Sequence, residues 1–233
     1  MGNLAEKRLI RKLDLELFLS QIKPHPSPKA NLEQYTVSES VAASMLYFAA
    51  YVHNDIIGKT VLDLGCGTGR LALAASFLGA ASVVGVDIDK TAIRIASESS
   101  KNAGLKDNVN WVAGDIDAVN WSFDVVLQNP PFGVQKRAAD RRFLEKALEA
   151  GQTVYSLHKH PSTDERLIKM LKANPEGMLR VTPSKFIGKL VEKHNGQVEA
   201  VYAMSMTIPR MFDFHKKTKH TFVVDLYLIK RNS

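Results

Sequence analysis

Apolar and polar positions change their rhythm twice along this chain. Over residues 4–20, "LAEKRLIRKLDLELFLS", Leu4, Leu9, Leu13, Leu17 and Phe18 fall near one face at helical spacing, which predicts a helix. "KPHPSPK" (Lys23 to Lys29) then places proline at alternate positions, so it is extended and exposed. Residues 1–30 therefore read as a helix and proline-rich arm ahead of a main domain at 31–233. "TVSESVAASMLYFAAYVHN" predicts a second helix with Ser38 as its N-cap. From Lys59 onward, β-rich runs alternate with helical ones. "TVLDLG", "SVVGVDID", "VNWVAGD", "FDVVLQN" and "TVYSLH" predict strands. "GRLALAASFLGA", "KTAIRIASESSKNAGL" (ending at Gly104) and "DRRFLEKALEAG" predict helices. "QVEAVYAMSMTI" and "TFVVDLYLI" predict two long strands without an intervening helix, so they pair directly and the last runs antiparallel. Repeated βα units predict an α/β, Rossmann-like fold: a seven-stranded, mostly parallel sheet with helices on both faces. The stretch around 163–196 holds a further helical or strand element whose role the pattern does not assign.

Chemistry concentrates where strands end. "VLDLGCGTGR" sits at a strand-to-helix junction, and Gly65, Gly67 and Gly69 let the backbone turn tightly and approach a ligand. The spacing differs from the dinucleotide G-x-G-x-x-G, and no Gly-Lys-Ser/Thr follows, which excludes a P-loop. Asp87 ends the next strand, placed to accept hydrogen bonds from both ribose hydroxyls of an adenosine. Asp115 ends the third, where it could accept from an adenine amino group, and Asp63 before the turn could receive an ammonium. Each Asp alone could equally cap a helix. Together with the glycine turn they suit S-adenosylmethionine, which is cationic and carries no pyrophosphate.

The fourth strand ends in "QNPPFG". Pro130 and Pro131 fix φ and remove two N–H donors, so carbonyls there can point away from sheet pairing. Asn129 adds a side-chain carbonyl, and two rigid acceptors can hold both hydrogens of a planar amino group. Such a clamp orients a delocalised nitrogen toward a methyl donor by position and electrostatics, without a tuned general base. Phe132 offers a face on which an extruded base can lie.

Composition changes this picture in one respect. The net charge of +7 and pI near 9.4 suit a polyanionic partner. Basic residues cluster in "KRLIRK", in "QKRAADRR" after the catalytic motif, and in "RMFDFHKKTKH" between the last two strands. Phe212 and Phe214 interleave with Lys216, Lys217 and Lys219, a mixture for phosphate contact and base stacking. His158, His215 and His220 lack paired metal-ligand spacing and suit phosphate contact or surface placement, so no metal is expected. The lone Cys66 excludes an intramolecular disulfide and a cysteine-rich zinc site. No apolar run approaches the roughly 18 residues of a membrane span, no secretory h-region is present, and Glu6 breaks a myristoylation signal. A cytoplasmic protein is expected.

At this point the chain resembles class I S-adenosylmethionine-dependent methyltransferases that methylate amino groups. Within them it is similar to the methyltransferase-like protein 5 family, on "LEQYTV", "DLGCGTG", "GVDID", "NPPFG", "TVYSLHK" and "FHKKTK" before "VVDLYLI". The resemblance implies methyl transfer to the 6-amino group of an adenosine in small-subunit ribosomal RNA. It implies catalytic residues Asn129, Pro130, Pro131 and Phe132. It implies cofactor contacts from Gln34, Tyr35, Thr36, Asp63, Gly65, Gly67, Gly69, Asp87, Ile88, Asp115, Ile116 and Asn129. RNA contacts are expected from Lys136, Arg137, Phe214, His215, Lys216, Lys217 and Lys219. The family's proline between Tyr35 and Thr36 is absent, and Val134 stands where the family often has threonine. Eukaryotic members work with a small zinc-binding activator, a partner the resemblance allows here. Two other readings stand beside this one: a release-factor-type glutamine methyltransferase, and a non-catalytic RNA-binding module. DNA amino methylation would bring a target-recognition domain for which 233 residues leave little room.

Overall fold

The computed structural model describes residues 9–29, 32–132, 139–161, 164–209 and 219–232. Among these residues, eight strands form one sheet. β1 (Thr60–Leu64), β2 (Ser82–Asp87), β3 (Val109–Ala113), β4 (Phe123–Gln128) and β5 (Gly151–Lys159) pair in parallel, in the spatial order β3-β2-β1-β4-β5. β7 (Gly196–Pro209) and β8 (Lys219–Arg231) close the chain, with β8 inserted antiparallel between β5 and β7. The expected seven strands become eight because β6 (Leu179–Arg180) adds a two-residue edge strand antiparallel to β7. It belongs to the unassigned stretch around 163–196, which folds as helix α6 (Glu165–Ala173), β6 and helix α7 (Lys185–Lys193).

Helices cover both faces because the parallel strands are apolar on both; β1 is buried over its last four residues. On one face lie α1 (Lys12–Ser20), α2 (Glu39–Tyr47) and α3 (Arg70–Leu78). On the other lie α5 (Ala139–Ala150) and α7, burying Leu144, Ala147, Leu148, Ile187, Leu190 and Val191. α4 (Lys90–Asn102) follows β2; Asp89 caps it by accepting the Thr91 N–H at 2.9 Å, and Gly104 follows its end at φ +70°. α2 begins after Ser38 as expected and runs on into a π-helical turn at Phe48–Val52.

The first helix buries a different face from the one its leucines suggest. Leu15 and Leu19 are fully buried, and Phe18 stacks on Phe77 of α3 with centroids 4.3 Å apart. Leu9, Leu13 and Leu17 form an exposed stripe, Leu13 and Leu17 each at 57%. The leucine and phenylalanine content is high enough that two faces satisfy helical spacing. Packing against α2 and α3 chooses the one carrying Leu15 and Leu19.

Candidate active site

The strand ends of β1, β2, β3 and β4 and the segment 32–37 enclose a cleft of about 320 Å3. Gly65, Gly67 and Gly69 all adopt positive φ (+73°, +55° and +86°), so this turn needs residues without the steric cost of a side chain. A Cβ on Gly65 would lie 2.6 Å from the Phe143 ring, whereas one on Gly67 would meet nothing within 4 Å. Gly67 therefore presents bare backbone to the cleft. Gly69 lies behind it as the N-cap of α3 and has no side chain with which to cap. Asp63 takes over that task from β1: its Oδ2 accepts the Ala72 N–H at 2.9 Å in the first turn of α3.

Asp63 is 1% exposed, and burial lifts its carboxyl to about 7 against the pull of the Ala72 N–H, with Asp87 adding to the rise. Burial also raises Asp87, although its Oδ2 accepts the Gly67 N–H and its Oδ1 the Asp89 N–H, each at 2.8 Å. Burial likewise pushes the Cys66 thiol up. A buried acid, Asp63, and a half-buried one, Asp87, thus face a cleft whose guanidiniums already have partners. Arg70 donates to the Val37 carbonyl and to Glu39 Oε1 (2.8 Å), and Arg142 bridges Asp115 and Asp117. The field of this cleft favours a cation.

The segment carrying Gln34, Tyr35 and Thr36 lies across the cleft as a strap. Arg70 holds its Val37 end. At the other end, Gln34 Nε2 donates to Asp89 Oδ2 at 2.9 Å, and Gln34 Oε1 accepts the Lys29 N–H at 2.7 Å. Lys29 Nζ lies 3.2 Å from Asp89 Oδ2, and His25 Nε2 lies 3.5 Å from the same oxygen. Burial works to raise the Asp89 carboxyl, but Gln34, the Thr91 N–H and Lys29 outweigh it and hold the group at about 2. In the middle of the strap, the Tyr35 carbonyl accepts from Asn129 Nδ2 at 3.1 Å. A carbonyl can only accept, so this contact fixes the orientation of the Asn129 amide. Asn129 Oδ1 is buried and has no partner among the described residues.

Of the expected cofactor residues, Gln34, Tyr35, Thr36, Asp63, Gly65, Gly67, Asp87, Ile88, Asp115, Ile116 and Asn129 all line this one cleft, and only Gly69 does not. Pro131 joins them, while Phe132 is not part of the lining and packs edge-on against Phe222, 5.7 Å between centroids at 84°. Asp115 also caps the short 3-10 turn Ile116–Ala118, its side chain accepting the Asp117 N–H. Lys136, Arg137, Phe214, His215, Lys216 and Lys217 lie outside the described residues, as does the side chain of Lys219. His25, Arg70, Asp89 and Arg142 were not expected from the sequence. Arg70 follows the glycine turn directly and Asp89 lies two residues past Asp87, so position alone could have raised both.

His158 corrects the expectation of a surface or phosphate-contacting group. It is 5% exposed on the α5 and α7 face of β5, and burial lowers its imidazole to about 4. It belongs to a buried relay. Gln128 Nε2 donates to Ser156 Oγ at 2.8 Å, and Ser156 Oγ lies 2.8 Å from His158 Nε2. Burial keeps His158 neutral, and its Nε2 shares this hydrogen bond with the Ser156 hydroxyl. Gln128 Oε1 has no partner among the described residues. No group of three or more potential metal ligands occurs among the described residues, and no helix there is long and apolar enough to cross a membrane.

Residues 57–215 match a family model described as a methyltransferase domain. With that match, the glycine turn and the acids at successive strand tips define an S-adenosylmethionine-dependent methyltransferase of class I. The chain is 33% identical over 218 residues to the rRNA N(6)-adenosine-methyltransferase METTL5 of Danio rerio, spanning 91% of this chain and 95% of that one. It belongs to the METTL5 family. It is also 38% identical over 235 residues to MJ0284, an uncharacterized protein of Methanocaldococcus jannaschii, spanning 96% and 95% of the two chains. Among solved structures, PH1948 from Pyrococcus horikoshii, a candidate RNA methyltransferase, superposes with a TM-score of 0.79 at 34% identity, covering 97% of this chain and all of that one.

Proposed function

We propose that this chain transfers a methyl group to the N6 amino group of an adenosine in RNA, and that the RNA is small-subunit ribosomal RNA. The observation that carries the reading is Asn129, whose Nδ2 is committed to the Tyr35 carbonyl while its buried Oδ1 is left as an acceptor. A buried unpartnered acceptor costs about 1–3 kcal/mol, a cost that an incoming N–H donor removes. The rRNA adenosine activity named for the zebrafish relative supports adenosine as the donor's owner. The net charge of +7 supports a polyanion.

S-adenosylmethionine supplies an electrophilic methyl group and a positive charge. The cleft fits it: Asp63 is a buried acid with no salt bridge among the described residues, Asp87 is a half-buried acid whose carboxyl burial raises, and Gly67 opens bare backbone onto the same space. Asp63 would face the ammonium, Asp87 the ribose hydroxyls and Asp115 the adenine edge, with Ile88 and Ile116 as apolar walls. Asn129 Oδ1 and a carbonyl of the Pro130–Pro131 turn accept the two N–H bonds of the target amine and aim its lone pair. As the nitrogen becomes positive, the same oxygens stabilise it, and its surplus proton leaves to solvent afterwards. Phe132 supplies the face for the extruded base. The basic residues around Lys136, Arg137 and 214–219 hold flanking phosphates.

The test is incubation with labelled methyl donor and small-subunit rRNA from a strain lacking this protein, followed by mapping of the label. One labelled adenosine is expected. Label in protein instead would favour the glutamine-methylating reading and overturn this one. The same assay addresses the zinc-binding activator, since full turnover by the chain alone would dismiss an obligate partner. Asn129→Ala is expected to lower kcat by more than a hundredfold. Its cofactor Kd should rise about 2- to 12-fold, as befits one hydrogen bond lost from the strap. RNA binding by the wild type with no labelled product would favour the binding-module reading, and intact turnover in Asn129→Ala would remove Asn129 from the transfer step.

A further inference from the structure

β7 and β8 stay paired as far as Pro209↔Lys219, whereas β5 accompanies β8 only to Lys159↔Val224. His160 just past β5 still donates to the Val223 carbonyl, so the last four residue pairs, from Met206↔Phe222 outward, continue as a two-stranded ribbon past the carboxyl edge of the sheet. Alternation along a strand puts His220 and Phe222 on one face of that ribbon. Their rings lie 5.5 Å apart and 31° from parallel, with His220 exposed and Phe222 half-buried at the margin of the core. Phe132 meets Phe222 at 84°, forming a corner directly beside the Asn-Pro-Pro motif.

A base pulled out of its stack leaves a neighbour with one face bare, and that exposure is part of the cost of extrusion. An aromatic surface set across the corner from Phe132 would cover the bared face. We propose that Phe222 and His220 form a platform for the base of the nucleotide adjacent to the target adenosine. This subsite rests on the RNA reading above and extends it from the target base to its neighbour. Charge suits the same occupant: the segment joining β7 to β8, "RMFDFHKKT", carries three Arg or Lys against one Asp.

The experiment is a protein–RNA cycle at saturating cofactor. Wild type, Phe222→Ala, Phe222→Tyr and His220→Ala are assayed on an RNA containing the target adenosine. The same variants are assayed on that RNA with an abasic residue placed immediately before or after the target. Phe222→Ala is expected to raise KM about 5- to 150-fold with kcat little changed, and Phe222→Tyr to restore it. One of the two abasic RNAs should raise KM by a similar factor for wild type and add little for Phe222→Ala. Penalties that multiply independently at both positions would overturn the platform. So would a loss in kcat that is the same on every RNA, which would reduce Phe222 to a support for Phe132. His220→Ala, a change at an exposed residue, keeps the test decisive if Phe222→Ala does not fold. Failure of the RNA reading would look different, because wild type would then label none of these RNAs.

Discussion

Asp63 joins structure and chemistry in one carboxylate. It caps α3 because Gly69 cannot, and that position buries it to the point where its carboxyl titrates near 7. A cation beside it stabilises the ionised form, so binding a cationic cofactor below pH 7 requires the loss of a proton. The apparent cofactor Kd should therefore weaken up to about tenfold for each pH unit below about 7 and level off above it. Calorimetric titration between pH 5.5 and 8 checks this, and Asp63→Asn should bind weakly with a flat profile. A flat profile in the wild type would mean that Asp63 does not face the cation. The sequence placed this acid beside the glycine turn, because a short apolar strand ending in Gly-x-Gly is a local signal. It could not show the Ala72 contact, which depends on how the turn folds back. Nor could it show which end of the Asn129 amide faces the strap, since that is settled by Tyr35, 94 residues away.

Two elements meet at the catalytic motif and each solves a problem created by its prolines. Pro130 and Pro131 lack N–H groups, so β4 cannot extend its ladder to β5 beyond Gln128. The Gln128 side chain continues the tie through Ser156 to His158, all within the α5 and α7 face. Removing the Ser156 hydroxyl strands the Gln128 amide and the His158 nitrogen without partners, at about 1–3 kcal/mol for each. Ser156→Ala should thus lower unfolding free energy by about 2 kcal/mol or more in urea titrations, and kcat should fall with little change in cofactor Kd. Unchanged stability would show that the relay ties nothing. On the other face the strap does the corresponding work, linking Asp89, Asn129 and Arg70 through 32–37. The strands themselves were legible as apolar runs. The relay was not, because β5 is buried on both faces over most of its length and shows no polar alternation that would single out Ser156 and His158.

At the scale of the whole molecule, βα alternation predicted the parallel sheet, and the absence of a helix between the last two strands predicted their antiparallel pairing. What escaped was the two-residue β6, too short to carry a pattern, and the buried face of α1, for which two faces met the spacing. A property of the whole fold also follows from two buried groups on opposite faces of the sheet. Asp63 is raised from 3.8 to about 7, so the folded state holds a proton that the unfolded chain has lost. Its contribution to stability is complete below about pH 4 and disappears as pH climbs to about 7. His158 is lowered from 6.5 to about 4, so its contribution is complete above about pH 6.5 and disappears as pH falls toward 4. Between pH 4 and 6.5 the two slopes, each at most about 1.4 kcal/mol per pH unit, oppose one another. Asp87 and Asp225, both raised by burial, add to the Asp63 side. Differences from wild type separate the groups without requiring the total. Relative to wild type, the stability of Asp63→Asn should rise steadily with pH from 4 to 7. That of His158→Gln, which keeps a hydrogen-bonding side chain beside Ser156, should fall from pH 4 to 6.5. Chemical unfolding of the three cofactor-free proteins at pH 4.5, 5.5, 6.5 and 7.5 reads both trends. A pH-independent difference for either variant would remove that group from the account.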